Sequence, residues 1–200
     1  VSNNSLDNRF ERFQNNLSKS NPSFSNISNE DETKFRFNSN HNANNYKFSF
    51  GGNLQLSNYS NTTQYDFYNT NYNTKINFIK YGVFFKSSKT FINDKLGISF
   101  GVRLDQDSFT EKNNVFENIS PRIALSLKIS DDNKWKLNFA SGRYFKIPTY
   151  TSLGFKDRDD TFLNKNSKYT RSDHYVGGLE FNWTESSRFT FETFYKKTKI

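Results

Sequence analysis

Along 95–105 the chain alternates without a break. Leu96, Ile98, Phe100, Val102 and Leu104 share one parity, and Gly97, Ser99, Gly101, Arg103 and Asp105 share the other. A period of two puts the two sets on opposite faces of a β-strand. The run is as long as a tilted strand that crosses a bilayer. Two settings suit it. In a soluble sandwich the apolar face meets a core and the polar face meets water. In an outer-membrane barrel the apolar face meets lipid and the polar face lines the lumen.

The same pattern predicts strands on either side, about eight in all. Phe35 and Phe37 share a face over 33–39. Over 45–57, Tyr46, Phe48, Phe50, Leu54 and Leu56 oppose Lys47, Ser49, Gly51, Asn53 and Gln55. The pattern over 75–86 is looser, with Ile79, Tyr81, Val83 and Phe85 facing one way. The strand that opens at 95 runs to about 108. Strands follow at 119–130 (Ile123, Leu125, Leu127, Ile129 against Arg122, Ala124, Ser126, Lys128) and 134–144 (Trp135, Leu137, Phe139 against Lys136, Asn138, Ala140). The last two are 171–184, where Tyr175, Leu179, Phe181 and Trp183 oppose His174, Val176, Glu180 and Asn182, and 188–200. Residues 1–32 are expected to form a long polar loop with a short helix near 8–17.

Connections decide between the two settings. Short ones are expected at 40–44, 87–94, 131–133 and 185–187, and long ones at 58–74, 109–118 and 145–170, after the long 1–32 segment. Short and long alternate, so a meander would carry all its turns at one end and all its loops at the other. That asymmetry belongs to outer-membrane barrels. Greek-key links in a sandwich give no reason for it. Trp135, Tyr144, Trp183 and Tyr195 lie near strand ends and are candidates for interfacial aromatic girdles.

Composition sharpens this picture. Mean hydropathy of −0.90 would suggest disorder, but Phe 23 and Tyr 11 oppose it. Alternating strands joined by polar loops produce both values. No apolar run reaches the length of a transmembrane helix. Cys 0 excludes disulfides, thiolate catalysis and cysteine zinc sites. The net charge of +8 is scattered and forms no basic block, which fits a solvated surface or lumen and not nucleic-acid binding. The chain opens at Val1 and not at Met, so it is expected to be a piece of a longer protein.

Candidate chemistry is sparse. Ser172, Asp173 and His174 are the elements of a hydrolase, but neighbours on a strand point to opposite faces, so only Ser172 and His174 can meet. No nucleophile motif surrounds them, and a polar histidine at a strand start is the better reading. His41 has no partner at metal-ligand spacing. No catalytic residue, metal or cofactor is expected. The polar parity instead nominates Arg103, Asp105, Lys128, Glu180 and Glu192 as lumen-facing. They are more readily structural ion pairs than ligand contacts.

Several phrases then carry a resemblance: 95–105; Asn118-Ile119-Ser120-Pro121-Arg122; 141–155, which opens Ser141-Gly142-Arg143-Tyr144-Phe145; His174-Tyr175-Val176-Gly177-Gly178-Leu179-Glu180; and Glu192-Thr193-Phe194-Tyr195-Lys196-Lys197. In this order and spacing, 75–200 resembles the barrel of TonB-dependent outer-membrane receptors of Gram-negative bacteria. Residues 1–74 fit by pattern. The resemblance implies an all-β, antiparallel, up-and-down transmembrane barrel of about 22 strands with a plugged lumen. This chain would be about eight strands of that one barrel domain, without its plug. It implies a multi-pass protein of the cell outer membrane, surrounded by outer-membrane lipid and holding the plug domain of the same full-length chain. Segments outside this sequence would engage the TonB–ExbB–ExbD complex for active uptake of a scarce ligand: a siderophore, vitamin, saccharide or peptide. Tyr-rich 58–74 would stack on such a ligand or pack loop on loop. The competing reading is a small eight-stranded barrel with a structural or adhesive role.

Overall fold

In the computed structural model the described residues form nine strands: β1 (Ser2–Asn15), β2 (Ser20–Ala43), β3 (Tyr46–Tyr65), β4 (Thr70–Phe91), β5 (Leu96–Asp107), β6 (Ser120–Lys128), β7 (Trp135–Lys146), β8 (Thr170–Thr184) and β9 (Ser187–Lys199). All residues are described except 16, 18, 44, 67–69, 112, 113, 131, 133, 158, 185 and 200. Of the turn and end residues expected from sequence, 44, 131, 133, 185 and 200 therefore lie outside the described residues. The strands form one antiparallel sheet in the order β1 to β9. Each strand hydrogen-bonds to its neighbours in sequence. Among the described residues β1 and β9 do not pair with each other, so these strands do not close a small barrel by themselves.

Three expectations are corrected. The described residues of 8–17 form no helix; 2–15 are strand β1, paired from Ser2↔Lys34 to Asn15↔Ser20. Residues 1–32 are accordingly not a loop, and nine strands replace eight. Nor are the described residues of 58–74 a long loop: β3 runs on to Tyr65 and pairs with β4 down to Tyr65↔Thr70. The physical reason lies in how polarity is distributed. Up to Leu56 on β3 and Ile79 on β4 the apolar residues occupy the outer parity. Beyond that level the outer parity carries Asn58, Asn77 and Lys75, while Tyr59, Ile76 and Phe78 occupy the inner parity and are buried. The preference for one face inverts along a single strand, and a search for one constant apolar face loses it. The looser pattern over 75–86 is this inversion.

β2, β3 and β4 hold 24, 20 and 22 residues. About 9–11 residues suffice to cross a bilayer as a tilted strand. The excess rises above the apolar band at the end that also bears the long connections 108–119 and 147–169. The opposite end is closed by 44–45, 92–95, 129–134 and 185–186. Asn45, Asn93 and Asp94 take left-handed backbone there (φ 65°, 48° and 62°), which short polar side chains tolerate.

The outer face is apolar and uncovered. Val83 is 57%, Phe100 49% and Phe191 72% exposed. One cross-strand row runs His41, Phe48, Ser87, Phe100, Ile123, Ser141, Tyr175, Tyr195. On β8 the apolar face ends at Tyr175 in this row. On β3 it continues to Leu56, about eight residues higher, and on β5 it ends between, at Leu104. A climb of about eight residues at ~3.3 Å, over five strand spacings of ~4.8 Å, is a tilt of about 45°. Strands of transmembrane barrels are inclined by about that much. Trp135 stacks on Phe181 at 4.3 Å and Tyr175 lies 6.3 Å from Tyr195, near the lower and upper limits of the band. Tyr144 does not belong to this girdle: it lies on the inner face, 4.6 Å from His174 and 4.3 Å from Arg122.

Neighbours on one strand test the two faces. Phe100→Arg should destabilise the lipid-embedded full-length protein by about 2–4 kcal/mol, and Ser99→Arg by much less. Urea unfolding in lipid vesicles reads the difference; equal losses would contradict the assignment of faces.

Candidate functional site

The buried core of this chain lies on the inner face, above the apolar band, where the connection 147–169 folds back onto β3 and β4. Pro148 cannot donate a backbone hydrogen bond and so ends the β7 ladder. Thr149 then caps a single helical turn, α1 (Tyr150–Leu153), its side chain accepting from the Ser152 N–H at 3.3 Å. Gly154 closes the turn by donating to the Tyr150 carbonyl at 2.8 Å. Beyond it the Asp157 carboxylate accepts from the N–H groups of Asp159 and Thr161, both at 2.9 Å, and turns the chain back so that Lys156 pairs with Phe162.

This segment delivers Tyr150 and Leu153 into a cluster with Tyr59, Ile76 and Phe78, flanked by Phe109, Ile147 and Phe162. Leu153 is fully buried. Phe78 meets the edge of Tyr150 at 5.2 Å and Phe109 meets Phe162 at 5.4 Å. Polar groups close the joint. The Tyr150 hydroxyl donates to Glu32, accepts from Lys80 and has Ser57 Oγ at 3.1 Å. Glu32 is also paired with Lys34 at 2.6 Å and Lys80 at 3.3 Å. Tyr59 donates to Thr151 at 3.1 Å, and Tyr72 and Thr74 both donate to the Gly154 carbonyl, at 2.8 and 2.6 Å. At the far end Tyr169 donates to Asp107 at 2.8 Å, and Asp107 also accepts from Thr110 at 2.7 Å. Burial, reinforced by Glu32, raises the Tyr150 phenol above its usual range, and burial with Asp107 does the same for Tyr169. Both phenols therefore remain protonated donors at neutral pH. Sequence reading passed over Glu32, Tyr59, Ile76 and Phe78. Their signal was the inversion of face, which only the pairing partner makes visible.

Below the joint the inner face is a polar wall. Arg103 grips Asp105 through Nε at 2.5 Å and Nη2 at 2.6 Å, and reaches Asn53 at 2.7 Å. Gly82 makes room for this, since a Cβ there would strike the Asp105 carboxylate. Arg36, Lys86 and Arg122 share a cavity with Arg103 and meet no carboxylate among the described residues. Lys128, Glu180 and Glu192 lie on the same face but lower, away from Arg103. Lys128 faces Lys136, Lys136 faces Glu180, and Glu180 lies 3.9 Å from Arg188. Glu192 sits opposite Gly178. Ser172 and His174 meet at 2.9 Å on the inner face, and Tyr144 packs on the imidazole. Asp173 lies on the outer face, held by Arg143 and Arg171, so no carboxylate orients that histidine from the neighbouring position. At the upper rim Phe10, Phe24 and Tyr65 form an edge-to-face row at 6.0 and 5.6 Å. The Tyr-rich stretch thus presents Tyr65 from a strand. Such a surface can bind through aromatic faces and charge.

A family model described as TonB dependent receptor-like, beta-barrel, matches residues 2–199. The chain belongs to the TonB-dependent receptor β-barrel family. Solved structures share the fold. The copper transporter OprC has a TM-score of 0.69 at 14% identity, covering 98% of this chain and 34% of its own. The siderophore receptor PirA from Pseudomonas aeruginosa gives 0.57 at 12% identity, over 88% of this chain and 33% of its own. The alcaligin outer-membrane receptor FauA from Bordetella pertussis gives 0.52 at 12% identity, over 88% and 30%. This chain therefore spans about a third of the length of these proteins. No curated protein matches it in sequence. The 147–169 joint lies on the inner parity of the sheet, at the end that bears the long connections.

Leu153→Ala should loosen the joint without opening the sheet, at a local cost of about 2–5 kcal/mol. Trypsin should then cut at Lys156 or Lys165 faster in the full-length variant than in the parent, while the heat-modifiable barrel persists. Unchanged cleavage would mean that the core does not hold this connection.

Proposed function

We propose that this chain is part of the barrel wall of a TonB-dependent receptor in the outer membrane, working in active uptake of a scarce ligand. The observation that carries the reading is the family match over 2–199, joined to a meander whose outer face is apolar along a band inclined by about 45°. In this reading 1–200 is one stretch of a single barrel domain, crossing the membrane many times and surrounded by outer-membrane lipid. The plug domain of the full-length chain fills the lumen, and segments outside this sequence engage TonB–ExbB–ExbD.

The ligand side is the mouth. The connection 147–169, seated on Tyr59, Ile76 and Phe78, supports an exposed tip with Phe155 and Leu163 outward. The rim row Phe10, Phe24, Tyr65 offers ring faces to a sugar, peptide or chelate. Arg103 and Asp105 hold the wall beneath by their own ion pair. Lys128, Glu180 and Glu192 line the lumen lower down, nearer the plug than the ligand. The related proteins are named for copper, for alcaligin and for a siderophore. A metal or its chelate is the ligand class that those names favour for this chain, ahead of vitamins, saccharides and peptides.

Two measurements test this. The chain has Cys 0, so a single introduced thiol reports its own side of the membrane. Asp159→Cys should react with an impermeant maleimide on intact cells, and Asp132→Cys only after the outer membrane is opened. Growth with ferric chelates or copper as the scarce nutrient should then fail equally when the receptor is deleted and when TonB is deleted. Labelling of Asp132→Cys on intact cells, or a receptor phenotype that does not need TonB, would contradict the proposal.

A further inference from the structure

The two rows directly above the Tyr175–Tyr195 level on the outer face are not apolar. One holds Arg143, Asp173 and Lys197, and the next holds Phe145, Arg171 and Lys199. Asp173 binds both guanidinium groups, Arg143 through Nε at 2.9 Å and Arg171 through Nη2 at 2.5 Å. Lys197 and Lys199 meet no carboxylate among the described residues. Four cations thus face outward against one carboxylate, at the end of the sheet that bears the long connections. Below them the outer face is hollowed where side chains are short. A cavity of about 360 Å³ is lined by Phe100, Pro121, Ile123, Ser141 and Tyr175, with Arg143 and Asp173 at one end.

We propose that these residues form a binding site for one phosphorylated glycolipid of the outer leaflet. Arg143, Arg171, Lys197 and Lys199 take the phosphates, and the hollow beside Phe100 and Ile123 takes an acyl chain. The inference rests on the outer-membrane reading of the chain. Charge argues for it: guanidinium groups match phosphate oxygens two at a time, and the single carboxylate of Asp173 leaves these four cations with a net positive charge. Position argues for it as well. The cations continue the lipid-facing surface without a gap, at headgroup height on the outer-leaflet side. An ordinary girdle needs no such excess of positive charge. Each cation near an anionic headgroup contributes about fivefold to binding, so removing two should weaken it by about 25-fold.

The test uses the full-length receptor purified in mild detergent, with native mass spectrometry counting bound lipid during titration. The probes are bisphosphorylated lipid A, dephosphorylated lipid A and phosphatidylethanolamine. The parent should hold one bisphosphorylated lipid A in preference to the other two. Arg143→Gln with Arg171→Gln should lose that preference by about 25-fold, and Lys197→Gln with Lys199→Gln should lose it likewise. Lys136→Gln, on the inner face, should change nothing. Asp173→Asn separates the site from a merely structural ion pair: it should keep or tighten lipid A binding even where it lowers thermal stability. Equal binding of dephosphorylated lipid A, or parental binding by the double arginine variant, would overturn the proposal while leaving the receptor reading intact. Absence of a heat-modifiable barrel from the outer-membrane fraction would overturn both.

Discussion

Among the described residues antiparallel pairing between sequence neighbours satisfies the backbone of β2 to β8 along both edges and that of β1 and β9 along one, and it leaves each side chain only two directions to point. Everything else about the chain follows from what each face meets at each height. Along the band the outer face is apolar and the inner face polar. Above Leu56 and Ile79 the outer face turns to Asn and Lys, and the inner face turns to Tyr59, Ile76 and Phe78. The same ladder continues through both zones, so one strand carries two opposite polarity patterns. The height of the inversion shifts from strand to strand as an inclined sheet requires.

The lower zone was legible in the sequence. Over β5 to β9 the contrast between Phe100 and Ser99, or between Leu179 and Glu180, is complete, and period two finds the strands and their faces. The joint of Arg103 with Asp105 follows from that parity too. The upper zone was not legible, for a physical reason. Where Asn, Ser and Thr occupy both faces, the strand is held by its ladder and by a segment arriving from far along the chain. β1 and the upper parts of β2 and β3 therefore read as loop. Tyr150 and Leu153 show only Pro148 and Thr149 as local signals, and neither tells where the turn docks. Their partners, Glu32 and Lys80, are remote in sequence, and Glu32 sat in what looked like a loop.

The inner-face core also explains how a barrel without a conventional interior can fix a long connection. The 147–169 segment does not rely on its own hydrogen bonds alone. It borrows an apolar seat from β3 and β4 and seals the edge with buried phenols that keep their protons. The wall beneath keeps its charges partly paired, with Arg103 held by Asp105, Arg122 stacked on Tyr144, and Arg36 and Lys86 meeting no carboxylate among the described residues.

The inversion at Leu56 and Ile79 is the central claim, and depth-resolved fluorescence tests it most directly. Single cysteines at Val83 and at Asn73, both on the outer parity of β4, would carry a small fluorophore in the full-length protein reconstituted in vesicles. The account predicts quenching of the Val83 probe by lipid-borne bromine and not by aqueous iodide, with the reverse at Asn73. Equal lipid quenching at both positions would show that the strand does not leave the bilayer at Ile79, and would contradict the account.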